Sequence, residues 1–400
     1  MIAVLTCLAA LGGAPQEESP RELRGVWISA DDRDLLASPA KIGAAMQAIA
    51  EAGANAVFVP AWTGGTTTFP CAALRDAFGL ERPERDVLAE LLLEAHRNGL
   101  EAFPWLEPGI RCPSEGECEA AKKRPEVFAR DESGKVRVVN GVAPIDLAAK
   151  PGEDLALAVV VEMCTNYDLD GVVGPAALER MRKEVVAVDP NLVVIAPRGL
   201  GPEPTPAAPV LPEIDREGAE KTGDRIVGYV RLREKDDELS YAIRDEAWRI
   251  PALLPWRSDK KPWRDPVEAL DPVAGGGNWS WSVPEGEPSL LSLPGGESGH
   301  VTWRFKPRSV GVYALYVWIP PRDDLTSLAS FRLASASGSR SMNLDTSKKQ
   351  FQGWIRLGEA RLSAGQEIEL ARLTAEEKDA TKVTAAGPIV PLLDRRAMRR

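Results

Sequence analysis

The sequence predicts an α/β barrel of incomplete, TIM-like type followed by an all-β sandwich. Three observations lead there. Apolar strand candidates alternate with amphipathic helices from residue 22 to residue 198. A proline-rich stretch, GLGPEPTPAAPVLPE, then interrupts that rhythm. Past residue 266 only short alternating strands remain, punctuated by Gly, Pro and Ser. Alternating βα units imply a parallel sheet, and short alternating strands imply a sandwich or jelly roll.

The chain opens with MIAVLTCLAALGGAPQEES, an apolar run followed by small residues and then charge. This is read as a secretory signal over residues 1–14, without the usual positive n-region. LRGVWIS (Leu23–Ser29) is the first strand, and PAKIGAAMQAIAEAG has helical spacing and stops at Gly53. NAVFVPAW (Asn55–Trp62) and LEAFPWL (Leu100–Leu106) are strands flanking the helix DVLAELLLEAHRNG. A long loop, the helix EDLALAVVVEMCTNY, a strand at Leu169–Val173, the helix ALERMRKEVVAVDPN and the strand LVVIAPR follow. DRIVGYVRL and RIPALLPW bring the strands to seven, fewer than the eight of a full barrel, over a span slightly under the roughly 250 residues such a barrel takes. The barrel is therefore placed at 22–257, a linker containing SDKKPWRDP at 258–266, and the sandwich at 267–394. Strands of the sandwich are expected at HVTWRFKP, GVYALYVWIPP, ASFRLAS, GWIRLGEARL and QEIELARL.

The net charge of −10 over 400 residues argues against nucleic acid and anionic membrane as partners. The basic tail from Arg395 to Arg400 is read as solvated. After the signal no run is long enough to span a bilayer. Of the five cysteines, Cys112 and Cys118 bracket the polar loop CPSEGEC, where a disulfide is predicted if the compartment is oxidising. Cys71 and Cys164 are either a second pair or small buried hydrophobes. HExxH, CxxC pairs, Walker loops, GxGxxG and GxSxG are absent from the sequence. No metal or cofactor is expected on that basis. His96, on a helix beside Arg97, is read as a solvated or edge histidine.

ELRGVWIS, NAVFVPAW, EAHRNGLEAFPWLEPG and NYDLDGVV, in that order, resemble the glycosyl hydrolase-like family 10 barrel. GHVTWRFKP, GVYALYVWIPP, GWIRLGEARLSAGQEIEL and GPIVPL resemble, more loosely, the golvesin or Xly carbohydrate-binding-like β-domain. The first resemblance implies a glycosidase-like protein of bacterial polysaccharide, including peptidoglycan glycan. The family's fourth-strand motif carries two aspartates. The first corresponds to Asp170, and the second falls on Pro175, which has no acid chemistry. Because glycoside hydrolysis normally takes two carboxyl groups about the scissile bond, the expectation is weak or lost hydrolysis by a secreted or periplasmic, envelope-associated protein. The alternative is a structural or adhesion protein of the envelope.

In such a barrel the site lies at the C-terminal strand ends. Candidates there are Asp31, beside Asp32, after strand one, Trp62 after strand two, Trp105, Glu107 and Arg111 after strand three, and Arg198 after strand five. Trp62 and Trp105 are read either as a shared sugar-stacking wall or as core closing the barrel top. Glu107 is the best remaining acid, or else a solvated loop residue. Asp170 is either catalytic or a cap ahead of its strand, and Asp31 and Asp32 either touch ligand or cap the next helix. Trp279 and Trp281, in GGGNWSWS, are the second domain's platform candidates, while Trp303 and Trp318 read as core.

Overall fold

The computed structural model describes residues 23–197, 210–211, 227–231 and 267–395, except 52–53, 113–117, 175–178, 191, 285–286, 336–337, 349–351, 366 and 375–380. The signal stretch, Pro175, Arg198, RIPALLPW and the linker 258–266 lie outside the described residues.

The first part follows the expected rhythm. Its elements begin with β1 (Leu23–Trp27), α1 (Pro39–Glu51), β2 (Ala56–Thr63) and β3 (Thr66–Thr67). They continue with α2 (Ala72–Phe78), α3 (Val87–Arg97), β4 (Glu101–Leu106), β5 (Gly109–Arg111) and α4 (Glu119–Lys123). After these come β6 (Val142–Pro144), α5 (Lys150–Asn166), β7 (Gly171–Val173), α6 (Glu179–Val188), β8 (Val193–Pro197), β9 (Val210–Leu211) and β10 (Val227–Arg231). The main sheet has the order β10-β1-β2-β4-β7-β8-β9, every pair parallel, with β3 folded back on β2. The last strand lies beside the first, as in a barrel. No pairing joins β9 to β10 among the described residues, so the expected barrel is seen as a curled parallel sheet with one unpaired seam.

Both faces of this sheet are buried, which explains the near-continuous apolar strands. One face carries Trp27, Phe58, Phe103, Trp105, Val173 and Ile195. The other carries Val26, Val57, Val59, Ala102 and Val172, packed with Ile42, Leu91 and Val159 from the helices. The period of two along each strand sorts residues between the faces. Asp86 caps α3, accepting the Ala89 N–H at 3.0 Å and the Tyr167 hydroxyl at 2.7 Å. Burial pushes its carboxyl above the usual range. Gly64 and Gly65 turn β2 into β3 with φ of 55° and 78°, a two-residue hairpin that needs the left-handed region at both positions.

The strand pairs of the second part are antiparallel. Its strands are β11 (Val273–Gly276), β12 (Ser280–Ser282), β13 (Leu290–Pro294), β14 (His300–Phe305), β15 (Gly311–Ile319) and β16 (Ala329–Ser335). They end with β17 (Gly338–Leu344), β18 (Gly353–Leu362), β19 (Ile368–Thr374), β20 (Val383–Ala386) and β21 (Ile389–Leu393). The sheet β11-β14-β19-β16-β17 is joined by two three-stranded sheets, β12-β13-β20 and β18-β15-β21. Trp303, Leu315, Val317, Phe331 and Leu370 belong to one core. Trp303 and Trp318 are core, at 0% and 2% exposure.

Candidate functional site

The C-terminal ends of the parallel strands are the natural place for chemistry. On the inner face the indoles of Trp27 and Trp105 lie 4.9 Å apart, and Phe58 stacks on Trp27 at 5.5 Å. Trp105 is 6% exposed and its indole donates to Ile28 O at 3.0 Å. Aromatic side chains pack against one another on this face of the sheet.

Trp62 is not part of that stack. It is fully buried in the cluster facing the helices, and its indole donates to Gly109 O at 2.7 Å. The reason is a bulge. Pro60 pairs with Trp105, but Trp62 pairs with the very next residue, Leu106. The inserted Ala61 shifts the pleat by one position and sends Trp62 to the opposite face. The expected Trp62–Trp105 wall is therefore corrected: the two indoles belong to different cores. A proline in a strand paired on both sides is a sequence signal for such a bulge, and Pro60 supplied it.

Glu107 and Arg111 are exposed. Their backbone amides tie the loop down, Glu107 N–H to Trp62 O at 2.6 Å and Arg111 N–H to Gly65 O at 3.0 Å. Arg111 lines a cavity of about 380 Å³ together with Arg82, Glu81 and Glu84, and Glu107 is not among its lining residues. Asp31 is exposed. Its neighbour Asp32 is 6% exposed and accepts the Ser29 N–H at 2.7 Å, so it closes its own loop. Gly174, one residue before Pro175, ends β7 at the same end of the sheet as Trp105 and Glu107.

Asp170 sits at the other end. It precedes β7, is 0% exposed, and its Oδ2 takes the Ala102 N–H at 2.8 Å and lies 3.1 Å from His96 Nε2. Its Oδ1 accepts from the guanidinium of Arg395, a residue just past β21. The Arg395 N–H donates to Asp168 at 3.2 Å. The expected catalytic role of Asp170 is corrected: its carboxyl is sealed from solvent at the wrong end of the strand and is held by three partners. Two further expectations fall with it. His96 is 2% exposed, not an edge residue, and Arg395 is 2% exposed, not part of a solvated tail.

This ion pair belongs to a seam between α3 and the sandwich. Leu93 packs with Val390 and Leu392. The Trp354 indole donates to Glu94 at 2.9 Å, and the Val267 N–H donates to Arg97 O at 2.7 Å. Burial raises the Glu94 carboxyl above the usual carboxylate range against the lowering pull of Arg97. Sequence reasoning missed His96, Arg395 and Trp354 because their partners are far away in the chain, 225 residues in the case of Arg395 and Asp170.

Cys112 and Cys118 form a disulfide. Cys71 and Cys164 are separate buried thiols. Burial pushes Cys71 up to about 12, so it is no nucleophile near neutrality. On the sandwich, Trp281 is 54% exposed, whereas Trp279 is half-buried with its indole donating to Gly276 O at 2.6 Å. Among the described residues no helix is long and apolar enough to cross a membrane.

Residues 22–174 match the family model described as Glycosyl hydrolase-like 10, and residues 271–386 match that of the Golvesin C-terminal domain. Both the identities and the order agree with the resemblance read from the sequence. No curated protein sequence gives a significant match. Among solved structures, the chain is similar to alpha-L-fucosidase isoenzyme 2 from Paenibacillus thiaminolyticus at 19% identity and TM-score 0.33, over 44% of this chain and 32% of that one. It is similar to a GH36 alpha-galactosidase variant from Geobacillus stearothermophilus at 10% identity and TM-score 0.39, over 89% and 55%. It is also similar to a family 35 carbohydrate binding module from Clostridium thermocellum at 17% identity and TM-score 0.20, over 32% and 89%. The chain thus spans only 32% of the fucosidase and 55% of the galactosidase.

Proposed function

We propose that this is a secreted, envelope-associated protein that binds bacterial cell-wall or extracellular polysaccharide and does not cleave it through a carboxylate pair. In this reading, residues 22–257 and 267–394 are two carbohydrate-related units joined by the segment 258–266. The match to a glycosyl hydrolase-like model supports the class of ligand. The observation that carries the loss of cleavage is the burial of Asp170 in an ion pair with Arg395. Hydrolysis with two flanking carboxyl groups needs both of them beside the sugar. Glu107, exposed after β4, and Asp31, exposed after β1, are acids near the strand ends that could take a hydroxyl contact. Asp31, Arg111, Arg198 and the exposed Trp281 remain candidates for touching ligand.

Co-sedimentation with insoluble peptidoglycan tests the binding half. The full chain is expected to pellet with the polymer and to be displaced by soluble glycan fragments. A chain that stays in the supernatant with peptidoglycan and with other bacterial polysaccharides alike overturns the reading.

A further inference from the structure

Residues between β5 and α5 border an open pocket of about 750 Å³ next to Cys118 of the disulfide, and its charged lining residues are exposed. Among the described residues its charged lining is Lys122, Arg130, Lys135 and Arg137, with the carboxylate of Asp131. Cations thus outnumber acids among the described lining residues, in a chain whose net charge is −10. We propose that this cavity binds the anionic groups of an acidic polysaccharide, a specific ligand class for the glycan-binding reading on which the proposal rests.

Among the described residues, nearby carboxylates compensate part of this charge: Asp131 lies beside Lys135, and Glu119 beside Lys122. Asp131 accepts the Ser133 N–H at 2.8 Å, the Ser133 hydroxyl at 2.8 Å and the Lys135 N–H at 3.0 Å, so it is committed to its own turn. Arg130 donates to the carbonyls of Gly134 at 2.6 Å and Pro125 at 3.5 Å, which orient the guanidinium without cancelling its charge. Lys122 pairs with Glu119 at 2.6 Å. Among the described residues, Lys135 and Arg137 form no ion pair. Bridges between Arg130 and Val136 and between Val139 and Val142 hold the loop in shape. Guanidinium groups take carboxylate and phosphate in a two-pronged geometry. A volume of several hundred Å³ is of the size that small-molecule sites have, enough for a sugar unit with its charged substituent. Carboxylate from uronic acids and phosphate from polyol-phosphate polymers share this chemistry.

The test is isothermal titration of the full chain with polygalacturonate, a glycerol-phosphate polymer and neutral dextran, at two salt concentrations. At least one acidic polymer is expected to bind 10-fold or more tighter than dextran, with affinity falling as salt rises. Which of the two binds more tightly identifies the anion. The double variant Arg137→Gln/Lys135→Gln is expected to lose 10-fold or more for that polymer while keeping its melting temperature, since both side chains are exposed. Arg137→Lys should recover part of the loss. Equal affinity for acidic and neutral polymers, or an unaffected double variant, overturns this site. If peptidoglycan sedimentation persists in that case, the broader glycan-binding reading stands without it.

Discussion

Asp170→Ala is expected to destabilise the protein by about 3–5 kcal/mol, the cost of breaking a buried ion pair from one side. The alanine leaves the Arg395 guanidinium buried without its counter-ion, and His96 and the Ala102 N–H lose an acceptor. Removing both charges is a smaller perturbation than removing one. Asp170→Asn/Arg395→Met should therefore be less destabilised than the sum of its single variants, by about 1–3 kcal/mol of coupling. Urea unfolding of the four proteins measures this. Additive effects would mean that the pair contributes nothing to holding the sandwich against the barrel. Because Arg395 leaves from β21, its single variant should also weaken the seam at Leu93, Val390 and Leu392.

The second large effect is at Trp105. Trp105→Ala is expected to cost about 3–5 kcal/mol of stability, the range for deleting a large buried aromatic. The cavity would open against Trp27 and Val173, and Ile28 O would lose its indole donor. Trp105→Phe keeps most of the volume and should cost far less. The readout is again urea unfolding, with near-ultraviolet circular dichroism to follow the Trp27–Trp105 stack. A sugar platform would behave in the opposite way, with glycan affinity lost and stability unchanged. The 6% exposure of Trp105 decides for the core.

These two residues also show what the sequence could reveal. The βα rhythm from Leu23 to Pro197 was legible because the long strands β2 and β4 are buried throughout and α1, α3 and α5 each bury an apolar face. The sandwich was legible through alternation in β14, β15, β16, β18 and β19. The short β11, β12 and β13, the polar β17 and the late β20 were not anticipated, since brief runs such as VTAA and polar ones such as GSRSMNL carry little pattern. The placement of Trp62 turned on one bulge residue, Ala61, because a single insertion reverses every side chain beyond it. Asp170 was read either as catalytic or as a cap ahead of its strand, and it lies one residue before β7. Its function, however, depended on Arg395, and nothing local marks a tail arginine as buried. Burial of an ion pair is decided by the docking of two units, which no window of sequence contains.

Binding of glycan without cleavage by a carboxylate pair is the activity proposed for this protein. It is tested most directly by following new reducing ends when the full chain is incubated with soluble peptidoglycan glycan strands, alongside Glu107→Gln and Asp170→Asn. Binding with no reducing ends above the protein-free control is expected in all three. Reducing ends accumulating at ordinary enzymatic turnover, on the order of 1–10³ per second, and abolished by Glu107→Gln or by a folded Asp170→Asn, would contradict it.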